Sequence, residues 1–198
     1  MRTSQITWLP SGIGYLPVTD NPYDDAYFEK YQAYADTDMG IALTKARVAL
    51  VEPYMHGGIV DVGIGSGQFV LACRGARGFD INPAAVKWLH ARGLFRDPRR
   101  EPVDAACFWD SLEHIANPAE ILGNVRHFVF VSLPIFNNLV HVLRSKHYRP
   151  DEHCWYFTDS GFVTFMEQHG WSLVHHDRRE SELGREDIHS YAFHRTQL

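Results

Sequence analysis

Ile59-Val60-Asp61-Val62-Gly63-Ile64-Gly65-Ser66-Gly67 is the stretch on which the fold turns. A short β-branched run that ends in closely spaced glycines suits a buried parallel strand feeding a sharp turn. Glycines at such a turn also let a ligand approach the backbone with no Cβ in the way. The residues after the turn, 66–74, read as a helix, so the unit is strand, glycine turn, helix.

Downstream, the same alternation repeats. Residues 78–81 read as a second strand with Asp80 at its carboxyl end. Asn82 is then a good N-cap, Pro83 takes the first helical position, and Gly93 offers a left-handed stop. A weak strand is expected near Leu94 and Phe95, and a firm one over Val103–Trp109. Asn117 and Pro118 repeat the cap-plus-proline signal, with Glu120 completing a capping-box-like arrangement. Residues 128–133 form the strongest strand signal, followed by a long irregular segment over 134–157. Thr158 caps a helix to His169 that Gly170 ends, and 171–176 with 189–194 read as an antiparallel closing pair. Strands alternating with helices predict one α/β domain, its sheet mostly parallel with an antiparallel C-terminal strand and helices on both faces. Ligand-bearing strand ends should then share one edge of the sheet.

Upstream, residues 8–14 mix turn and apolar residues and read as an irregular arm. In 23–34, Tyr27, Phe28, Tyr31 and Tyr34 are spaced to share a helical face. Leu43, Ala46 and Leu50 form a second helical stripe, which Pro53 limits. The expected organisation is a single domain over 1–198. Its parts are an N-terminal arm and helices (1–56) and a core (57–198) in which 134–157 covers the site.

Composition narrows the function. A chain of 198 residues with 45% hydrophobic content fits one packed domain. Its net charge of −5 argues against nucleic-acid binding, which normally needs a basic face. Arg96, Arg99 and Arg100 cluster around Pro98 and read as a solvated loop. Cys73, Cys107 and Cys154 have no metal-ligand spacing, and a reducing setting is expected. With no apolar run of signal-peptide or membrane-spanning length, the chain reads as soluble and cytoplasmic, with no membrane partner. A homo-oligomer is compatible with the sequence.

The glycine turn discriminates among cofactors. The dinucleotide fingerprint would need its third glycine at Gln68, and the nucleotide-triphosphate loop would need a Lys followed by Ser or Thr. The pattern present is acid-x-Gly-x-Gly-x-Gly, and here the sequence resembles the class I S-adenosylmethionine-dependent methyltransferases, whose fold is Rossmann-like. Asp80 agrees with this, since a carboxylate at the second strand's end can accept hydrogen bonds from both ribose hydroxyls of an adenosine. A third element, Val103 to Asp110 followed by Leu112-Glu113-His114-Ile115 and Asn117-Pro118, is similar to the "LEH" segment of the family's small-molecule branch, with its ubiquinone and sugar methyltransferases. Ser132-Leu133-Pro134, then Asp151-Glu152-His153-Cys154-Trp155-Tyr156-Phe157-Thr158, resembles that branch's tail, except that Ile135 stands where the relatives carry Asn.

The resemblance implies that S-adenosylmethionine is the cofactor. It implies contacts from Asp61, Gly63, Gly65, Ser66 and Gly67 in the turn, from Asp80 and Ile81, and from Phe108, Trp109 and Asp110 near the reacting centre. The acid of the family's third strand has no good counterpart, Asp97 being a poor one. A small-molecule or sugar-like acceptor is implied, methylated in line. For a hydroxyl acceptor, His114 and His153 are the candidate catalytic residues; His175, His176 and His194 read as strand or surface residues. Asp110, Glu113 and His114 resemble a metal site proposed for quinone-type relatives, but i, i+3 spacing also arises for ordinary helical reasons and no metal is assigned. The alternative function is a cofactor-binding regulatory or assembly domain without transferase activity.

Overall fold

The computed structural model describes residues 6–17, 25–55 and 57–196. The expected start of the aromatic helix at Tyr23 and the side chain of Tyr27 lie outside the described residues. The chain opens with β1 (Thr7–Trp8) and β2 (Ile13–Tyr15), then α1 (Asp25–Ala35) and α2 (Asp38–Val51). Thr37 caps α2 by accepting the Gly40 N–H at 3.1 Å. Pro53 lies in the 3-10 turn Glu52–Tyr54 that ends the helix, as expected.

The core alternates as the sequence predicts: β3 (Ile59–Val62), α3 (Gln68–Ala72), β4 (Arg77–Phe79), α4 (Pro83–Ala91) and β5 (Val103–Trp109). After them come α5 (Ala119–Leu122), β6 (Val125–Pro134), α6 (Leu139–Arg144) and β7 (Trp155–Phe157). The chain closes with α7 (Asp159–Gln168), β8 (Trp171–Asp177), α8 (Arg179–Glu182) and β9 (Ile188–Arg195). The expected caps form. Asn82 accepts the Ala84 N–H at 2.9 Å, Thr158 accepts the Gly161 N–H at 3.0 Å, and Gly93 and Gly170 both have positive φ. At α5 the cap differs: Pro118 holds that position, and the Asn117 side chain donates to Glu120 instead.

Six strands form the main sheet in the order β4-β3-β5-β6-β9-β8. The first four run parallel; β9 is antiparallel to both β6 and β8. The last strand of the chain is thus inserted between β6 and β8 rather than added at the edge. The weak strand near Phe95 shrinks to an isolated bridge with Gly78.

Alternation along the strands divides the core into two layers. Val60, Val62, Phe108, Val129, Val131 and Phe193 pack with Phe162, Phe165 and Met166 of α7. On the opposite face Ile59, Cys107, Trp109 and Phe130 pack with Val51 of α2 and Phe69 of α3. Helices therefore cover both faces. The single α/β domain, mostly parallel with one antiparallel C-terminal strand, is the fold the alternation predicts.

Two stretches expected to be irregular are ordered. β1 and β2 form a hairpin, and β2 pairs antiparallel with β7 from the 134–157 segment, giving a separate three-stranded sheet. Residues 139–144 of that segment are helical.

Candidate active site

At the carboxyl edge of β3, β4 and β5 lies a cavity of about 1040 Å³. It is large even among ligand sites, which typically span roughly 300–1,000 Å³. The glycine turn, Asp80 to Asn82, and Trp109 to Asn117 form its inner wall. Residues of α1 and α2 close one side, and the segment around His147 to Cys154 closes another. Of the residues singled out by sequence, Asp61, Gly63, Gly65, Ser66, Asp80, Ile81, Trp109, Asp110, His114 and His153 line it. Two do not. Phe108 is fully buried in the α7-side core, because successive strand residues face opposite layers. A Cβ at Gly67 would meet the Trp88 ring at 2.6 Å, so that glycine serves packing against α4.

Gly65 is different. Its φ is +52°, and among the described residues an added Cβ would meet, beyond its chain neighbours, only Tyr31 Cδ1 at 3.7 Å. Asp80 closes the turn from below. Its Oδ2 accepts the Ile64 N–H at 2.9 Å and its Oδ1 the Asn82 N–H at 2.8 Å, tying the glycine turn to the start of α4. Burial raises the Asp80 carboxyl above its ordinary range, while these backbone N–H groups act against the shift.

Asp61 is 1% exposed. Burial, reinforced by the charge of Asp80, pushes its carboxyl up to about 8 against the opposing pull of Arg47 and the Cys107 thiol. An acid whose folded pKa is raised binds more protons folded than unfolded, so its effect on stability worsens as pH rises from about 4 toward 8. Replacing Asp61→Asn is therefore expected to make the thermal midpoint of the cofactor-free protein fall less steeply between pH 5 and 8 than in the wild type. Parallel slopes in the two melting series would remove this reading of Asp61.

Asp110, at φ +55°, is held by charges that sequence reasoning missed. Arg185 reaches both its oxygens at 2.8 and 2.9 Å, Arg47 reaches Oδ2 at 3.0 Å, and buried Glu180 binds both arginines. Burial alone would raise the Asp110 carboxyl, but Arg185 and Arg47 outweigh it and bring it to about 2. Arg47 lies 63 residues and Arg185 75 residues from Asp110 along the chain, so no local spacing signalled either. Because Asp110 is turned to these arginines, it is Glu113, His114 and His153 that come together, with ligand atoms within 4.8 Å of one another.

That cluster is made by the covering segment. The Cys154 N–H donates to the Glu113 carbonyl at 2.8 Å and Trp155 Nε1 to the Ile115 carbonyl at 2.9 Å, stitching 153–155 onto the Leu112–His114 turn. The His114 and His153 rings meet edge to face at 4.6 Å. Both oxygens of buried Glu113, and Nδ1 of His153, have no hydrogen-bond partner among the described residues. Burial lowers both histidines, His153 to about 2 with help from His114 and Arg149, and raises the Glu113 carboxyl well above its usual range. This part of the cavity wall thus presents three side chains able to receive or give a hydrogen bond.

Comparison with known proteins decides the family. The description "Methyltransferase domain" matches residues 43–176, more than half of the chain. The chain belongs to the methyltransferase-domain family. Its fold is shared with magnesium protoporphyrin IX methyltransferase from Synechocystis PCC 6803 with bound S-adenosylhomocysteine, at a TM-score of 0.62 and 13% identity, covering 88% of this chain and 96% of that one. A SAM-dependent methyltransferase from Archaeoglobus fulgidus superimposes with a TM-score of 0.59 at 16% identity, covering 85% and 100%. The 1,6-didemethyltoxoflavin-N1-methyltransferase of Burkholderia thailandensis, with bound 1,6-didemethyltoxoflavin and S-adenosylhomocysteine, gives 0.56 at 12% identity, covering 98% and 100%. The sequence matches none of the curated proteins. Among the described residues of this methyltransferase domain no helix is long and apolar enough to cross a membrane.

Proposed function

We propose that the domain transfers the methyl of S-adenosylmethionine in line to a small-molecule or sugar-like acceptor, bound between the Leu112–His114 turn and the 134–157 segment. The observation that carries this is a single cavity whose wall passes from the glycine turn and Asp80 to the Glu113–His114–His153 cluster. In this reading the adenosine lies along the turn, with Asp80 on its ribose and Ile81, 64% exposed, against its base. Trp109 and Asp110 face the methionine portion. The sulfonium supplies an activated methyl; the protein aligns nucleophile, methyl carbon and sulfur, which can account for about 7–11 kcal/mol of barrier lowering.

At the acceptor side, His114 receives the nucleophile's proton as the methyl is transferred, and His153, which burial keeps neutral, holds the proton-bearing group by a hydrogen bond. General-base help of this kind is worth about 10²–10⁴ in rate. His114→Ala is therefore expected to lower kcat about a hundredfold or more while leaving S-adenosylmethionine affinity within about twofold. The test is a screen of phenolic, amine and sugar-like acceptors that follows S-adenosylhomocysteine release, with calorimetry for the cofactor. Turnover in the wild type that persists in both His114→Ala and His153→Ala would remove these roles. Cofactor binding without turnover on any acceptor would favour a regulatory or assembly domain. Among the compared structures the toxoflavin enzyme holds a small-molecule acceptor, which supports the small-molecule reading. A cytoplasmic location and self-association remain part of the proposal.

A further inference from the structure

Outside that cavity, at the junction of α7 with β8 and β9, three ligand-bearing side chains converge from three elements. Asp159 is the first residue of α7, His176 lies near the end of β8, and His189 near the start of β9. Nε2 of His176 and Nδ1 of His189 face each other at 3.0 Å, and Asp159 Oδ1 is 3.9 Å from His176 Nε2. One ligand atom from each residue lies within 4.8 Å of the other two. None of the three lines the cavity described above.

We propose that Asp159, His176 and His189 form a binding site for a divalent first-row transition-metal ion of the zinc class. Nitrogen and oxygen ligands bind zinc at about 2.0–2.2 Å, and a tetrahedral ion then places its ligand atoms about 3.3 Å apart. The 3.0 Å separation lies about 0.3 Å short of that value, the 3.9 Å one about 0.6 Å beyond it, and the third pair within 4.8 Å, so the side chains must close in on the ion. Two imidazole nitrogens at this separation share a single proton between them; an ion would replace that proton as each ring turns to aim its lone pair at the ion. Two imidazoles and one carboxylate favour zinc, cobalt or nickel over magnesium or calcium, which prefer all-oxygen sites.

The surroundings orient these ligands. The Tyr191 hydroxyl donates to Asp159 Oδ1 at 2.7 Å, and its ring stacks on His176 at 4.6 Å with 7° between the planes. One residue thus fixes two of the three ligands, as outer groups around metal sites do. His189 is buried, whereas Asp159 is half exposed, so the ion has a route from solvent and room for a water ligand. Bound there, it would pin the start of α7 to the two strands that close the sheet.

The test is calorimetric titration of the chelator-stripped full chain with zinc chloride, paired with visible absorption of the cobalt(II) form. One ion per chain is expected to bind. Asp159→Asn and His176→Gln should each weaken binding at least about tenfold, with folding verified by circular dichroism. His175→Gln and Glu113→Gln should leave it unchanged. The half-exposed helix-start position of Asp159 makes its asparagine replacement benign for folding. Absence of saturable zinc binding by the folded chain, wild-type affinity in both ligand variants, or loss in Glu113→Gln instead would each overturn the site.

Discussion

Gly65→Val is expected to abolish S-adenosylmethionine binding, lowering affinity by more than about a hundredfold. Two effects combine. At φ +52° a β-branched residue is strained by roughly 1–3 kcal/mol, which biases the turn away from the conformation that presents its backbone to the cavity. The branched side chain would also project into space where, among the described residues beyond its chain neighbours, only Tyr31 comes within 4 Å of an added Cβ, and so would occupy volume the proposed cofactor site needs. Folding should survive, because no core atom is displaced. Calorimetry on a variant with native circular dichroism decides it, and near-normal affinity would discredit the glycine-turn assignment. Gly65→Ala should fall between, with most of the strain and little of the obstruction.

Asp80→Ala should weaken cofactor binding about ten- to a hundredfold, since charge-assisted hydrogen bonds contribute about 1.5–3 kcal/mol and each 1.4 kcal/mol is a factor of ten. The geometry adds a reason the sequence did not supply. Asp80 also accepts the N–H groups of Ile64 and Asn82, so its removal releases the glycine turn from α4 in addition to losing the proposed ribose contact. Asp80→Asn keeps one carbonyl oxygen for these roles and should lose less. Competition with S-adenosylhomocysteine measures both variants, and unchanged affinity in folded Asp80→Ala would remove the ribose assignment.

The parallel core was legible because its signals are local. Ile59–Val62 and Val103–Trp109 form strands over the residues their apolar runs mark, and Asn82, Pro83, Thr158, Gly93 and Gly170 punctuate the helices through hydrogen bonds or backbone angles that depend only on near neighbours. The hairpin of residues 7–15 was not legible, since its second strand is stabilised by Trp155–Phe157, some 140 residues away. Nor was the fate of Phe108, which shares a strand end with Trp109 but faces the other layer.

For the candidate site, the sequence by itself pointed to the glycine turn, Asp80 and the Leu112-Glu113-His114 segment, because residues that follow parallel strands gather at one sheet edge whatever surrounds them. Tertiary structure alone decided what each group meets there. It turned Asp110 toward Arg47 and Arg185, brought His153 against Glu113 and His114, and joined Asp159 to His176 and His189. Those partners come from segments far apart in the chain. Charge pairing and side-chain convergence depend on distance in space, which no spacing along the sequence encodes.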